Sequence, residues 1–216
     1  MLERFLVDAT GDSTTVPVHS GAVNDILEVS MGCSNGAKTP ANQFALVSYI
    51  PDPLGNFLDR LRLDLVPGCS PHAHVTVLPP RPICADEVQA ADELMEIAEN
   101  FSGFDIELGE VEIFPVSKVI FIGIARGERE LREMYRALNR GAVAYREPFP
   151  YHPHVTLAQN FPLEDLEHLS AQASQQWEQC SHSRSFPVHS LDFVKNIRGA
   201  MWVDLANIQL RGVPVG

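Results

Sequence analysis

The sequence predicts a duplicated fold in which strands alternate with helices and two similar halves are related by a pseudo-two-fold axis. Three observations predict it. The tripeptide His-Val-Thr occurs twice, each time with a further His two residues upstream: His72-Ala-His74-Val-Thr76 and His152-Pro-His154-Val-Thr156. Around each copy the elements follow one order, namely apolar strand, helix, His-Val-Thr strand, helix and further strand. The spacing agrees too, since Phe44 stands 30 residues before His74 and Val119 stands 35 before His154. Repetition of one supersecondary unit is the economical reading. Pairing two such units buries the apolar faces that either would leave open alone.

Residues 1–42 hold Gly11-Asp-Ser-Thr-Thr15, Gly32-Cys-Ser-Asn-Gly36 and Lys38-Thr-Pro40 without a sustained period. They read as a flexible leader, with at most one short element around Val23 to Val29. The folded domain is assigned to 43–216, as two pseudo-symmetric lobes. Phe44 to Ile50 is a continuous apolar strand, ended by Pro51 and Pro53. Leu54, Leu58, Leu61 and Leu65 recur at helical spacing. The first His-Val-Thr strand follows, closed by Pro79-Pro80. From Asp86 onward, Val88, Ala91, Leu94, Met95 and Ala98 describe an amphipathic helix with an acidic start that suits the helix dipole. Phe104 to Phe114 and Val119 to Ala125 read as strands. Leu131, Met134, Tyr135 and Leu138 make a helix stopped near Gly141. The second His-Val-Thr strand precedes a helix from Leu163 to about Trp177. Two closing strands, Phe186 to Lys195 and Ala200 to Ile208, are joined by the turn Asn196-Ile-Arg-Gly199.

Composition bounds the function. Of 216 residues 45% are hydrophobic and 20% charged, as in ordinary globular domains. No apolar run approaches the roughly 20 residues that cross a bilayer. The N-terminus has no signal-like apolar segment, so a cytoplasmic location is expected. The four cysteines, Cys33, Cys69, Cys84 and Cys180, form no Cys-x-x-Cys pair. They read as free thiols rather than a disulfide framework or zinc ribbon. A net charge of −12 excludes a long phosphate-tracking surface. It leaves room for a small nucleotide or an RNA end. A monomer without membrane partners is expected.

On a strand, side chains two residues apart share a face. His72, His74 and Thr76 therefore point one way, and His152, His154 and Thr156 do likewise. If the strands pack symmetrically, imidazoles and hydroxyls converge on one cleft. Imidazole titrates near 6.5, so one ring can accept a proton while another donates. Hydrolysis of a phosphodiester needs both acts, each contributing roughly 10²–10⁴-fold. A threonine hydroxyl on the same strand can donate to a non-bridging phosphoryl oxygen. The scheme calls for no cofactor and no metal.

The two motifs, His74-Val-Thr76-Val77 and His154-Val-Thr156-Leu157, resemble the twin His-x-Thr motifs of the 2H phosphoesterase superfamily. Tyr151-His-Pro-His154-Val-Thr-Leu157 is similar to the second motif of its 2′-5′ RNA ligase-like branch. The resemblance covers about residues 44–208. It implies a bilobal α+β fold, with two antiparallel sheets lining a central cleft and helices outside. It also implies metal-independent cleavage of 2′,3′-cyclic or related phosphodiesters, or ATP-independent, reversible 2′-5′ RNA joining. The expected partner is a small nucleotide or RNA terminus carrying a cyclic phosphate or 2′-5′ linkage. His74, Thr76, His154 and Thr156 are the catalytic candidates. The chain departs from the bare pattern in its leader and in His72 and His152.

His72, His152, Tyr151, Lys195 and Arg198 are the candidates for substrate contact. His72 and His152 suit support of the catalytic rings better than direct chemistry. Tyr151 and Phe149 are the aromatics placed to stack on a base, although strand alternation turns Tyr151 away from His154 and toward burial. Lys195 and Arg198 flank the last hairpin, within reach of a phosphate. For these two, as for Lys118 and Arg81, solvated surface is the plain alternative. Glu128-Arg-Glu-Leu-Arg-Glu133 reads as a solvated helix face with mixed-sign pairs. Two competing functions stand beside the phosphodiesterase: a metal-dependent enzyme using the His-x-His pairs as ligands, and a nucleotide-binding module without turnover.

Overall fold

The period-2 and period-3.6 segments become eight strands and four α-helices in the computed structural model, which describes residues 42–69, 72–198 and 201–212. In chain order these are β1 (Phe44–Tyr49), α1 (Leu54–Leu65), β2 (His74–Arg81), α2 (Glu87–Ala98), β3 (Phe104–Ile113) and β4 (Ile120–Arg126). Then come α3 (Glu128–Leu138), β5 (His154–Ala158), α4 (Leu166–Glu178), β6 (Ser185–Val188), β7 (Ser190–Arg198) and β8 (Met201–Gln209). The leader assigned to 1–42 lies outside the described residues, apart from Asn42, whose backbone N–H donates to Asn196 O at 2.9 Å.

Two antiparallel four-stranded sheets result, ordered β2-β1-β7-β8 and β5-β4-β3-β6. This is the duplicated α+β arrangement. The halves exchange strands: β3 follows α2 but pairs with β4, and the C-terminal β7 returns to pair with β1. Helix packing obeys the same symmetry. Helix α1 touches β5 and α4, while α3 touches β2 and α2, so each half's first helix braces the other half's motif strand. The described helices include none long and apolar enough to cross a membrane.

The leucine ladder of α1 is buried at Leu54, Leu58, Leu61 and Leu65, each contributing about 1.5–3 kcal/mol by leaving water. Helix α2 starts as its sequence requires, with the Asp86 carboxylate accepting from Gln89 N at 2.9 Å. Its buried stripe runs through Ala90, Ala91, Leu94, Ile97 and Ala98. Val88, expected on that face, is 70% exposed, because the stripe centres on 90, 94 and 97 and leaves 88 at its rim. One apolar cluster joins the helix-facing sides of both sheets. A small second cluster, Ala45, Val47 and Val194 with Tyr49 and Trp202, lies on the opposite face of the first sheet.

Several expectations change. Strand β2 runs through Pro79-Pro80 instead of stopping there. It is an edge strand, where a residue without N–H is tolerated. The segment Phe186–Lys195 is two strands, because the chain crosses at His189 from the second sheet to the first. Cys69, expected as a free thiol, is disulfide-bonded; lack of a local Cys-x-x-Cys pair says nothing about distant partners. Cys84 and Cys180 are free, and Cys33 lies outside the described residues.

Candidate active site

Each motif begins its strand at the catalytic-candidate histidine. In β2, His74 stands opposite Tyr49 and Thr76 opposite Val47. In β5, His154 stands opposite Gly123 and Thr156 opposite Phe121. The duplication thus reaches the level of register: histidine and threonine occupy equivalent rungs on equivalent strands. Both motif strands are edges of their sheets, and β2 packs directly against β5. The strands carrying the four residues predicted as catalytic therefore meet where the sheets meet, with His74 and His154 near enough for the charge of one to act on the other. His74 and Thr156 are each 7% exposed, whereas Thr76 and His154 are half-buried.

The rings are oriented identically. His74 Nδ1 lies 2.6 Å from the carbonyl oxygen of His72. His154 Nδ1 lies 2.7 Å from the carbonyl oxygen of His152. A carbonyl only accepts, so Nδ1 carries the proton in both rings and Nε2 is left for chemistry. Burial pushes the His74 imidazole down to about 3; the Arg62 guanidinium and the charges of His72 and His154 add to the effect, opposed by the bond to His72. Burial likewise pushes His154 down to about 4, against the bond to its own upstream carbonyl. At neutral pH both rings rest uncharged, with Nε2 unprotonated.

Aromatic rings frame each imidazole. On the second lobe, Phe114 stacks on Phe121 at 4.0 Å, and this pair meets His154 edge-to-face at 5.0 and 5.3 Å. On the first, Tyr49 stacks flat on His72 at 3.7 Å, meets His74 at its edge and donates its hydroxyl to Asp204 Oδ1 at 2.7 Å. Such contacts fix ring planes and exclude water from one side.

The substrate-contact candidates separate. His72 and His152 are exposed and adjoin the site, and their backbone carbonyls do the orienting. Tyr151 is no base-stacking platform: its ring is occupied by Tyr135 at 4.3 Å, and its hydroxyl donates to Thr76 O at 2.8 Å. Lys195 points the wrong way for a phosphate. It shares the helix-facing side of the sheet with Phe44 and pairs with Glu87 of α2. The side chain of Arg198 lies outside the described residues. Arg81 is not solvated surface but 1% exposed, held by Asn139, Glu147 and the carbonyls of Pro79 and Val143. Phe149 is 52% exposed. Among the described residues no group of three His, Cys, Asp or Glu side chains is gathered to hold a metal ion. The two His-x-His pairs therefore do not form a four-imidazole cage.

Sequence reasoning passed over Arg62, Tyr49, Phe114 and Phe121. Arg62 left a signal, since it sits four residues after Leu58 on the apolar face of α1 and is buried there. The aromatics left none, because their role depends on cross-strand register.

Both the sequence and the fold have known counterparts. The family model of the 2′-5′ RNA ligase superfamily matches residues 50–200. A protein named as a phosphoesterase in Halalkalibacterium halodurans is 28% identical over 102 residues, which cover 43% of this chain and 59% of that relative. The fold is similar to that of TT0787 from Thermus thermophilus, with a TM-score of 0.56 at 20% identity, covering 79% of this chain and 98% of that one. It is also similar to E. coli LigT complexed with 3′-AMP, with a TM-score of 0.56 at 16% identity, covering 80% and 99%.

Proposed function

We propose that this chain, which belongs to the 2′-5′ RNA ligase superfamily, is a metal-independent phosphodiesterase that hydrolyses 2′,3′-cyclic phosphates or related nucleotide phosphodiesters. The matched Nδ1–carbonyl bonds, 2.6 Å at His74 and 2.7 Å at His154, carry this reading. They leave two equivalent Nε2 atoms free for proton transfer, each with a threonine hydroxyl on its own strand.

In the proposed reaction Nε2 of one ring takes a proton from water as the water oxygen attacks phosphorus. The bond from phosphorus to the ester oxygen breaks, and Nε2–H of the other ring protonates that oxygen. Thr76 and Thr156 donate to the non-bridging oxygens, whose charge rises in the transition state. His74 is the base and His154 the acid. The Arg62 guanidinium disfavours a proton on His74, whereas the charge opposing a proton on His154 is that of its neighbour His152. The anionic diester entering beside His154 favours its imidazolium. With an alcohol in place of water the same base takes the alcohol proton as its oxygen attacks phosphorus, and the same acid protonates the departing ester oxygen. This is the chemistry of 2′-5′ joining; its reverse cleaves that linkage.

The substrate is a small nucleotide or an RNA terminus. The net charge of −12 disfavours longer nucleic-acid contacts. The fold of LigT, whose structure holds 3′-AMP, supports a nucleotide-sized ligand. Turnover of 2′,3′-cyclic mononucleotides, ADP-ribose cyclic phosphate and 2′-5′-linked oligonucleotides, with and without chelator, tests the proposal. Cleavage of one of these classes at equal rate in chelator is expected. Binding without turnover would favour a nucleotide-binding module, and chelator-sensitive turnover a metal-dependent enzyme.

A further inference from the structure

Tyr151 joins the two motifs directly. Its hydroxyl donates to the backbone carbonyl of Thr76 at 2.8 Å, from the loop just ahead of β5 to strand β2. Its own carbonyl accepts from Arg132 Nη1 at 2.5 Å. Arg132 is itself clamped, through Nε and Nη2, on Glu128 one turn earlier in α3 at 2.8 and 2.6 Å. The Tyr151 ring lies flat on Tyr135 of the same helix, with planes 4° apart. The residue is therefore held at its ring, its main chain and its tip. The next residue, His152, supplies the carbonyl that orients His154.

We propose that Tyr151 is a positioning residue that sets the width of the phosphate gap, holding Thr76 of one motif against the chain segment that orients His154 of the other. The connection is short and continuous: Thr76 carbonyl, Tyr151 hydroxyl, the Tyr151–His152 peptide, the His152 carbonyl, and the His154 ring. Burial pushes the Tyr151 hydroxyl above its ordinary value, so it remains a donor throughout the working pH range. Arg81, five residues beyond Thr76, ties the same loop to β2 through Asn139, Val143 and Glu147. That second tie keeps the lobes docked when the Tyr151 hydroxyl is removed. Loss of the hydroxyl then loosens only the gap.

The inference rests on the phosphodiesterase reading of the same cleft. Tyr151→Phe keeps the ring stack and deletes the one bond. It is expected to lower kcat roughly ten- to a hundred-fold, with KM within about two-fold and thermal midpoint nearly unchanged. If Tyr151 acts through Thr76, adding Tyr151→Phe to Thr76→Val costs little further, because the hydroxyl it positions is already gone. Arg132→Met, which frees the Tyr151 carbonyl and also releases Glu128, should repeat the kcat pattern at smaller size. Wild-type kcat in Tyr151→Phe, or a loss fully additive with Thr76→Val, would overturn the role. Inorganic phosphate separates this failure from that of the proposed reaction. Wild-type protein that binds phosphate at both imidazoles but cleaves no phosphodiester removes the reaction. Wild-type protein that does cleave, together with Tyr151→Phe that binds phosphate and turns over substrate as the wild type does, removes only the role of Tyr151.

Discussion

His74 donates its Nδ1–H to the carbonyl oxygen of His72 across 2.6 Å, and so presents Nε2 as its basic atom. His154 repeats the arrangement with His152 at 2.7 Å. In the proposed reaction, replacing either ring by alanine removes one proton-transfer step, and kcat should fall roughly 10²–10⁴-fold with the fold retained. Thr76→Val and Thr156→Val should cost less, as each deletes one donor to the phosphoryl oxygens and no proton transfer. Steady-state kinetics beside circular dichroism check both. Wild-type turnover in His74→Ala or His154→Ala would remove the assignment.

Arg62 makes the two imidazoles unequal. It is 2% exposed in the last turn of α1, and its positive charge opposes protonation of His74. In Arg62→Met that opposition is gone, so the His74 pKa rises. If His74 is the base, it must be unprotonated to act, and the acidic limb of the kcat/KM profile moves to higher pH. Movement of the alkaline limb instead would exchange the roles of the two histidines.

Acid stability follows from the same depressed values. The unfolded chain titrates both rings near 6.5, while the folded chain holds them at about 3 and about 4. Between these limits the unfolded state binds more protons, so stability rises with pH. It is fully present above about pH 6.5 and is lost as pH falls toward 4, by up to about 1.4 kcal/mol per unit for each ring. Denaturant midpoints measured from pH 7 to 4 should show this decline, and His154→Gln should flatten it. An unchanged slope in that variant would place the acid-sensitive group elsewhere.

The histidine and threonine positions were legible because a short period-2 motif, repeated in equivalent surroundings, survives as sequence. The helix over 54–65 was legible from four leucines for the same local reason. What escaped depends on contacts distant in the chain. The break at His189 separates two strands that read as one, since sheet membership is decided by partners and not by propensity. Lys195 had the residue type of a phosphate ligand, but its strand register puts it beside Phe44 and Glu87. Arg81 and Tyr151 acquire their roles from residues 58 to 75 positions away. The run Glu128–Glu133 does carry the expected mixed-sign pair, Glu128 with Arg132, but Arg132 also grips the loop ahead of the second motif.

Titration of protein carrying ¹⁵N-labelled histidine with inorganic phosphate tests most directly whether the two imidazoles flank one anion. The two-imidazole mechanism predicts that the Nε2 resonances of His74 and His154 move together with a single dissociation constant, and that His74→Ala weakens the response of His154. Response of one ring alone, or two unrelated dissociation constants, would contradict a shared site.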